Sequence, residues 1–185
     1  TQIIQQENKR LSEQVSRILQ LAILDKSEFR FEMIDIYEPI SEVIESFQAQ
    51  VESVEGSISF NYRSAEFKML ADLTHFKDLM RNLLDNAIKY SPKSPKIEVL
   101  VYEETAQKIA IEIKDSGIGM SASDLKMIFE KFYRVPQGNR HDVKGFGLGL
   151  SFVKAIVEAH HGVLEVDSKL GIGSTFRAIF PIKPN

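Results

Sequence analysis

Three short stretches of this 185-residue chain carry residue types that bind nucleotides and metal ions. Residues 82–91 combine two asparagines with a lysine, residues 115–119 place two glycines after an aspartate, and residues 145–150 hold three alternating glycines. Each stretch is ambiguous alone. In this order they predict a magnesium–nucleotide pocket with a polar helix face, an adenine-reading carboxylate and a glycine-rich phosphate wall.

The first stretch lies on a predicted helix over residues 74–90, which stops before Pro92. At about 100° per residue, Asn82, Asn86 and Lys89 form one narrow polar stripe, and apolar residues cover the opposite side. The amide oxygen of asparagine is a hard neutral ligand for Mg²⁺, and lysine supplies a positive charge for phosphate oxygens. The helix alone favours a solvated face with incidental asparagines.

The second stretch follows a predicted strand that ends in a carboxylate at Asp115. Burying an ionised carboxylate is costly unless it accepts hydrogen bonds, and the exocyclic amine of adenine is a suitable donor. Gly117 and Gly119 would let a flat base approach the backbone. An Asp-x-Gly sequence is also common in ordinary turns, so this motif is weak alone.

The third stretch runs into a helix predicted from Leu148 to about His160. Glycines at a helix N-terminus expose backbone N–H groups to phosphate oxygens. The spacing differs from the dinucleotide fingerprint, because the third glycine comes one residue early and no strand precedes it. The P-loop string G-x-x-x-x-G-K-[ST] is absent from the sequence. A phosphate-binding glycine loop of another kind remains.

The elements that must position these residues predict an α/β sandwich with one mixed, mostly antiparallel sheet covered by helices on one face. Residues 118–147 form a long, mostly irregular stretch, which predicts a lid or binding loop. It contains one short helix opened by a capping-box pattern at Ser121. The predicted strands cover residues 29–36, 58–62, 67–71, 96–102, 108–115, 163–168 and 175–180.

The composition excludes several classes of function. A formal net charge of −3 gives no basic field for nucleic acid. The chain contains no Cys, which excludes disulfides and thiolate metal sites and suits a reducing compartment. No apolar run is long enough to cross a bilayer and there is no signal-peptide pattern, so we expect a soluble piece.

Residues 4–24 predict a helix that precedes the rest of the chain, because they lack Gly and Pro and are rich in helix formers. Apolar positions recur at heptad spacing, which indicates a coiled-coil seam that needs a partner helix. A surface helix packed on its own domain is the alternative, since three heptads are the lower limit. The seam positions are Ile4, Leu11 and Ile18, interleaved with Asn8, Val15 and Ala22.

In this order, the three stretches resemble the N box and the first two glycine boxes of the catalytic ATP-binding domain of sensor histidine kinases. Gyrase, mismatch-repair ATPases and heat-shock chaperones share this superfamily. Residues 129–134 resemble the F box and residues 171–176 the last glycine box. The resemblance implies that residues 1–28 are the last helix of an incomplete dimerisation domain, and that residues 29–185 are the catalytic domain with a long ATP lid.

Matched position by position, the resemblance implies a role for each site residue. Asn86 would coordinate Mg²⁺ and Asn82 would support it, while Lys89 and Arg134 would act on the phosphates. Asp115 would read the adenine amine. Further contacts with ATP or ADP are implied for Tyr90, Gly117, Ile118, Gly119, Tyr133, Lys144, Gly145, Gly147, Leu148, Gly149 and Leu150, with Thr175 on the pocket floor near the base.

One position separates phosphoryl transfer from hydrolysis. The ATP-hydrolysing relatives carry a glutamate four residues before the metal-binding asparagine, where this chain has Asn82. An amide cannot accept a proton from water at neutral pH. The predicted function is therefore ATP-dependent phosphorylation of a protein histidine, with ATP and Mg²⁺ as cofactors. The alternatives are a conformational-switch ATPase of the gyrase or chaperone type and a nucleotide-free partner-binding module.

The resemblance also implies partners. None of the four histidines has the sequence context of the phospho-acceptor, so we expect that residue on a dimerisation helix elsewhere in the same or a sister chain. A response regulator receiver domain would then take the phosphoryl group, and no nucleic acid is expected. The domain would be cytoplasmic and could be monomeric, within a homodimeric parent that can sit in the inner (plasma) membrane.

Overall fold

The computed structural model describes residues 29–63, 67–91, 93–135 and 147–182. The predicted N-terminal helix and its heptad seam lie outside these residues. Among the described helices, none has both the length and the apolar character that a bilayer crossing requires. The strands are β1 (Glu32–Asp35), β2 (Ser57–Tyr62), β3 (Lys68–Ala71), β4 (Lys96–Thr105), β5 (Lys108–Asp115), β6 (Val163–Lys169) and β7 (Gly173–Pro181), and the helices are α1 (Tyr37–Glu52), α2 (Leu73–Lys89), α3 (Ala122–Leu125) and α4 (Gly149–Ala159).

Five strands form the main sheet in the order β2-β4-β5-β7-β6. Only the β2–β4 pair within it is parallel, so the predicted mixed, mostly antiparallel sheet is confirmed. In β4, the buried Ile97, Val99 and Val101 alternate with the exposed Lys96 and Glu98, as expected for a strand with one wet face. The buried face joins the apolar residues of α1, α2 and α4 in one core.

A separate two-stranded sheet pairs β1 with β3, although the sequence predicted a single sheet. Glu32 lies opposite Ala71 and Asp35 opposite Lys68 in this antiparallel ribbon. Alternation of apolar residues identifies a strand but not its partner, because both sheets bury one side in the same way. The ribbon leads the chain directly into α2.

Helices α2 and α4 lie side by side and run in opposite directions. The start of α4, at Gly149, lies over Asn82 and Asn86 of α2. At the other end of the pair, His160 after α4 accepts a hydrogen bond from the backbone N–H of Asp72, the N-cap residue of α2, at 3.0 Å. This arrangement brings the polar edge of α2 next to the glycine-rich N-terminus of α4.

Strand β6 forms one edge of the main sheet, because it pairs only with β7 among the described strands. Its exposed positions are Val163, Glu165, Asp167 and Lys169. On the wet face of the sheet, Arg177 of β7 forms ion pairs with Glu165 and Glu104. The outer surface of the sheet is therefore charged.

Candidate nucleotide-binding site

A crevice lies between the C-terminal half of α2, the end of β5, residues 118–135 and the start of α4. Its empty volume is about 570 Å³ including the solvent-facing mouth, which is in the range of small-molecule sites. The predicted site residues that line it are Asn86, Tyr90, Asp115, Ile118, Gly119, Tyr133, Arg134 and Leu150. The lining residues that sequence reasoning missed are Met120, Ile128, Val135, Ser174 and Phe176.

Asp115 ends β5 and is 7% exposed. Its Oδ1 accepts hydrogen bonds from the backbone N–H groups of Gly117 at 2.7 Å and Ser174 at 3.2 Å. Burial raises the pKa of the Asp115 carboxyl above its usual value, and the two hydrogen bonds oppose this rise. Because both bonds end on Oδ1, Oδ2 is the oxygen left for a donor in the crevice. The carboxylate is thus held rigidly and can still accept one hydrogen bond from a ligand.

Apolar side chains form the walls beside this carboxylate. Met120, Ile128 and Phe176 line the crevice with Asp115, and Ile128 and Phe176 also belong to the core. A flat ligand with an apolar face and one polar edge suits such a site, since the edge can donate to the carboxylate while the faces contact carbon atoms. A purine base has this shape.

The prediction that Thr175 lines the pocket floor is wrong. Thr175 lies on the wet face of the sheet, in a groove with Glu112, Glu165 and Arg177. Its neighbour Ser174 faces the crevice instead, because successive side chains of a strand point to opposite faces. The inward set at alternate positions of β7 is Ser174, Phe176, Ala178 and Phe180. Reading this period from the buried phenylalanines would have identified Ser174.

Position 119 requires a glycine, but for a different reason from the predicted one. Gly119 has a φ of +63°, and a Cβ at this position would approach the carbonyl oxygen of Lys169 to 2.0 Å. The end of β6 therefore occupies this space, where a bound base was expected. Gly119 still lines the crevice, and its role is to let two segments of the chain approach each other.

The polar edge of α2 is divided between the crevice and its surroundings. Asn86 lines the crevice, whereas the Asn82 side chain donates from Nδ2 to the carbonyl oxygen of Asp78 at 2.8 Å. A Cβ on Gly149 would lie 3.1 Å from Asn82 Oδ1, so this glycine permits the close approach of α4. Lys89 is not among the lining residues, and its Nζ forms an ion pair with Asp85 one turn earlier.

Two tyrosines and an arginine line the side of the crevice toward residues 133–135. Burial raises the pKa of Tyr90, the charge of Asp85 adds to this rise, and Arg134 opposes it. Both charges therefore act on the Tyr90 hydroxyl. The Tyr133 hydroxyl donates to Asp124 Oδ1 at 2.8 Å, and this bond raises the pKa of Tyr133.

The glycine-rich segment before α4 is described from Gly147 onward. The carbonyl oxygen of Gly147 accepts a hydrogen bond from Phe132 N at 2.8 Å, which joins the two ends of the intervening segment. Leu150 lines the crevice. The Leu148 side chain is buried, which leaves its backbone for the predicted nucleotide contact. Lys144 and Gly145 lie outside the described residues.

Comparison with known proteins identifies the domain. Residues 71–184 match the family described as histidine kinase-, DNA gyrase B-, and HSP90-like ATPase. The chain belongs to this family. The matched region contains α2, β5 and α4, the elements that form the crevice.

Curated relatives of this family member include a sensor protein and a sensor histidine kinase. Sensor protein RprX of Bacteroides fragilis (strain YCH46) is 39% identical over 188 residues, which cover 99% of this chain and 36% of the relative. Sensor histidine kinase WalK of Bacillus subtilis (strain 168) is 30% identical over 184 residues, covering 98% of this chain and 30% of the relative. The chain thus spans about a third of the length of these relatives.

Solved structures agree. The nucleotide-free catalytic domain of the histidine kinase ThkA has a TM-score of 0.72 and 25% identity, covering 84% of this chain and 99% of that one. The mycobacterial sensor histidine kinase MprB has a TM-score of 0.70 and 26% identity, covering 84% of this chain and 100% of that one. ThkA in complex with the response regulator TrrA has a TM-score of 0.77 and 25% identity, covering 97% of this chain and 49% of that one. The described fold is the ATP-binding catalytic domain of the histidine kinase type.

The donor set of the crevice fits a nucleotide with a bound cation. Within the described residues, no group of three or more His, Asp or Glu side chains could hold a metal ion by itself. Asn86 offers one amide oxygen at the crevice wall, so a hard cation here needs phosphate oxygens as its other ligands. A nucleotide would supply those oxygens, and the residues present are compatible with it.

Proposed function

We propose that this chain transfers the γ-phosphoryl group of ATP to a histidine on a dimerisation helix, from which a response regulator takes it. The observation that carries the proposal is the buried Asp115 carboxylate, which has one oxygen available in an apolar crevice whose other walls hold Asn86 and Arg134. One end of the crevice is thus suited to a purine base and the other end to phosphate.

At the base end, Asp115 would accept a hydrogen bond from the adenine amine while Met120 and Phe176 contact the ring faces. A guanine has a carbonyl oxygen where adenine has its amine. That oxygen would face the carboxylate without a proton between them. Because an unpaired buried acceptor is costly, the site should discriminate against guanine nucleotides.

At the phosphate end, Asn86 would hold Mg²⁺ together with phosphate oxygens. When bound, the ion would neutralise phosphate charge and orient the γ-phosphoryl group for in-line attack. Arg134 lines the same crevice, and Lys89 can reach it from the adjacent turn of α2. Backbone N–H groups at the start of α4 would add further donors.

The surroundings of Asn82 favour transfer over hydrolysis. Its amide lies one turn before Asn86 and is bonded to the carbonyl oxygen of Asp78, so no proton acceptor for water stands at this position. The acceptor would then be a histidine on a partner helix. We extend the proposal to residues 1–28 as the last helix of the dimerisation domain in a homodimeric parent, with the ThkA–TrrA complex as the analogous assembly.

Thermal unfolding with nucleotides tests this function. A ligand that binds only the native state raises its stability, by about 2.7 kcal/mol at a hundredfold excess over Kd. We expect ADP and ATP to raise the midpoint, GDP to leave it nearly unchanged, and Mg²⁺ to strengthen the effect of ATP. In Asn86→Ala the Mg²⁺-dependent part should disappear while the effect of nucleotide without Mg²⁺ remains.

Two outcomes would contradict the proposal. A midpoint that responds to no adenine nucleotide would mean that the crevice is not a nucleotide site. Sustained ATP turnover by the isolated chain would instead favour the conformational-switch ATPases of the same family.

A further inference from the structure

We propose that Asp85 is a built-in competitor for Lys89, which a nucleotide phosphate must displace, so that this carboxylate sets the affinity of the site for phosphate. The inference rests on the proposed function and concerns the free state of the domain. Asp85 acts through Lys89 and is a positioning residue.

The ion pair holds the lysine away from the crevice. Asn86 and Tyr90 on either side of Lys89 in the sequence line the crevice, whereas Lys89 and Asp85 do not. Lys89 Nζ donates to Asp85 Oδ2 across one helical turn, and both side chains are 28% exposed. The lysine must therefore leave this partner before it can contact a ligand.

Asp85 also lies near the end of the crevice where phosphate would bind. It adjoins Asn86 in sequence, and its charge acts on the Tyr90 hydroxyl together with that of Arg134. A carboxylate at this place repels a phosphate while it holds the cation that a phosphate needs. Both effects weaken binding of phosphate-bearing ligands, and neither affects a ligand without phosphate.

The size of the effect follows from the exposure of the pair. Ion pairs one turn apart on a helix contribute about 0.3–0.5 kcal/mol, and exposed pairs in general up to about 1 kcal/mol. The pair is only partly exposed and is therefore less screened than a fully solvated one. We expect Asp85→Asn to tighten ADP and ATP binding by about two- to fivefold.

The test is a double-mutant cycle measured by calorimetric titration on the whole 185-residue chain. Asp85→Asn, Lys89→Met and the double variant are titrated with adenosine, ADP and ATP, with and without Mg²⁺. The control is Asp78→Asn, which removes the same charge from the same helix about 10 Å away along its axis. Its carboxylate pairs with Arg81, not with Lys89.

The cycle separates competition from simple repulsion. If Asp85 must release Lys89, the two substitutions are non-additive for ADP and ATP, with a coupling of about two- to fivefold. Additive effects would mean that Asp85 only repels phosphate. If Asp85→Asn binds ADP and ATP more weakly, and only when Mg²⁺ is present, Asp85 helps to hold the cation. Either result overturns the inference.

Adenosine and the control variant complete the design. Adenosine affinity should be the same in all variants, and Asp78→Asn should bind ADP like the unaltered chain. If the unaltered chain binds no adenine nucleotide, the proposed function fails. If it binds ADP and Asp85→Asn changes nothing, only the inference about Asp85 fails.

Discussion

The two ends of the α2–α4 pair differ in how their polar groups are satisfied. At the crevice end, Asp115 keeps one oxygen available and Asn86 lines the crevice. At the opposite end, which we call the distal cluster (Asp72, His75 and His160), hydrogen bonds within the chain use the polar groups of Asp72 and His160. The contrast separates groups that the chain leaves available from groups that it uses to hold the fold.

The distal cluster ties three distant segments together. Asp72 Oδ1 accepts from His75 N at 3.0 Å and Oδ2 from Arg30 N at 2.9 Å, while Asp72 N donates to His160 Nε2. His160 Nδ1 lies 2.8 Å from the carbonyl oxygen of Ile156 and donates to it, because Nε2 is the acceptor. The His160 ring is 2% exposed. Partners 42 and 88 residues apart in sequence thus meet at one point.

The comparison assigns different roles to the two ends of the α2–α4 pair. A distal cluster bonded in this way fixes the spacing of α2 and α4, so that Asp115 and Asn86 at the other end keep their positions without bonding to each other. Substitutions at the crevice end should change affinity and leave stability intact. Substitutions at the distal cluster should do the opposite.

The largest expected effect is on affinity at the crevice end. Asp115→Asn keeps an oxygen for the N–H groups of Gly117 and Ser174 but presents an amide N–H₂ to the adenine amine. Two facing donors cost about 1–3 kcal/mol, so ADP affinity should fall about 10- to 100-fold. The free energy of unfolding should stay equal or rise, because burial of the ionised carboxylate raises its pKa and is unfavourable.

Calorimetric titration with ADP and chemical denaturation measure the two quantities. Asp167→Asn is the matched control, since it makes the same change on an exposed position of β6. If the Asp115→Asn variant binds ADP normally, the Asp115 carboxylate does not recognise adenine.

The next effect is on stability at the distal cluster. His160→Leu retains an apolar side chain of similar size but leaves the Asp72 N–H without its acceptor. An unsatisfied buried donor should lower the free energy of unfolding by about 1–2 kcal/mol. ADP affinity of the folded protein should change less than about twofold.

Denaturant unfolding and ADP titration of the same samples check both halves. His161→Asn serves as the control, because His161 is exposed and Asn tolerates its φ of 56°. A His160→Leu variant that unfolds normally and loses ADP affinity would reverse the proposed division.

The smallest expected effect is a pH dependence of stability. Burial lowers the pKa of His160 below its usual 6.5, and its backbone bond and the charge of Asp72 oppose this only in part. The unfolded chain binds a proton near pH 6.5, whereas the folded chain does not until the lowered pKa is reached. The contribution of His160 is therefore complete above pH 6.5 and is lost as the pH falls below it, at up to about 1.4 kcal/mol per pH unit.

Unfolding free energies of the unaltered chain and His160→Leu, measured between pH 5 and 8, isolate this dependence. His75 and His161 also lie near His160, but both remain in the variant. The difference between the two proteins should shrink as the pH falls below 6.5. A difference that does not change with pH would mean that His160 takes up a proton equally in both states.

Local patterns predicted which residues line the crevice better than they predicted its surroundings. Asp115 and Asn86 were found because a strand end and a helical stripe are local features of the sequence. Thr175 was misplaced by one residue, because the register of β7 decides which side chain faces inward. The bond between Asp72 and His160 could not be predicted, since 88 residues separate the partners.

One further contact could have been predicted from local sequence spacing. Asp85 and Lys89 are four residues apart on a predicted helix, which is the spacing of a favourable ion pair. The pairing of β1 with β3 has no such signal, because strand partners are chosen by tertiary packing. The family resemblance supplied the order of the boxes but not these contacts.

The exposed side of β6 has a consequence for the behaviour of the protein in solution. An edge strand offers unpaired N–H and C=O groups to which another chain could add as a sixth strand. Glu165, Asp167 and Lys169 place charges of both signs along this edge. Bringing a second strand alongside would desolvate these charges, so this edge resists edge-to-edge aggregation.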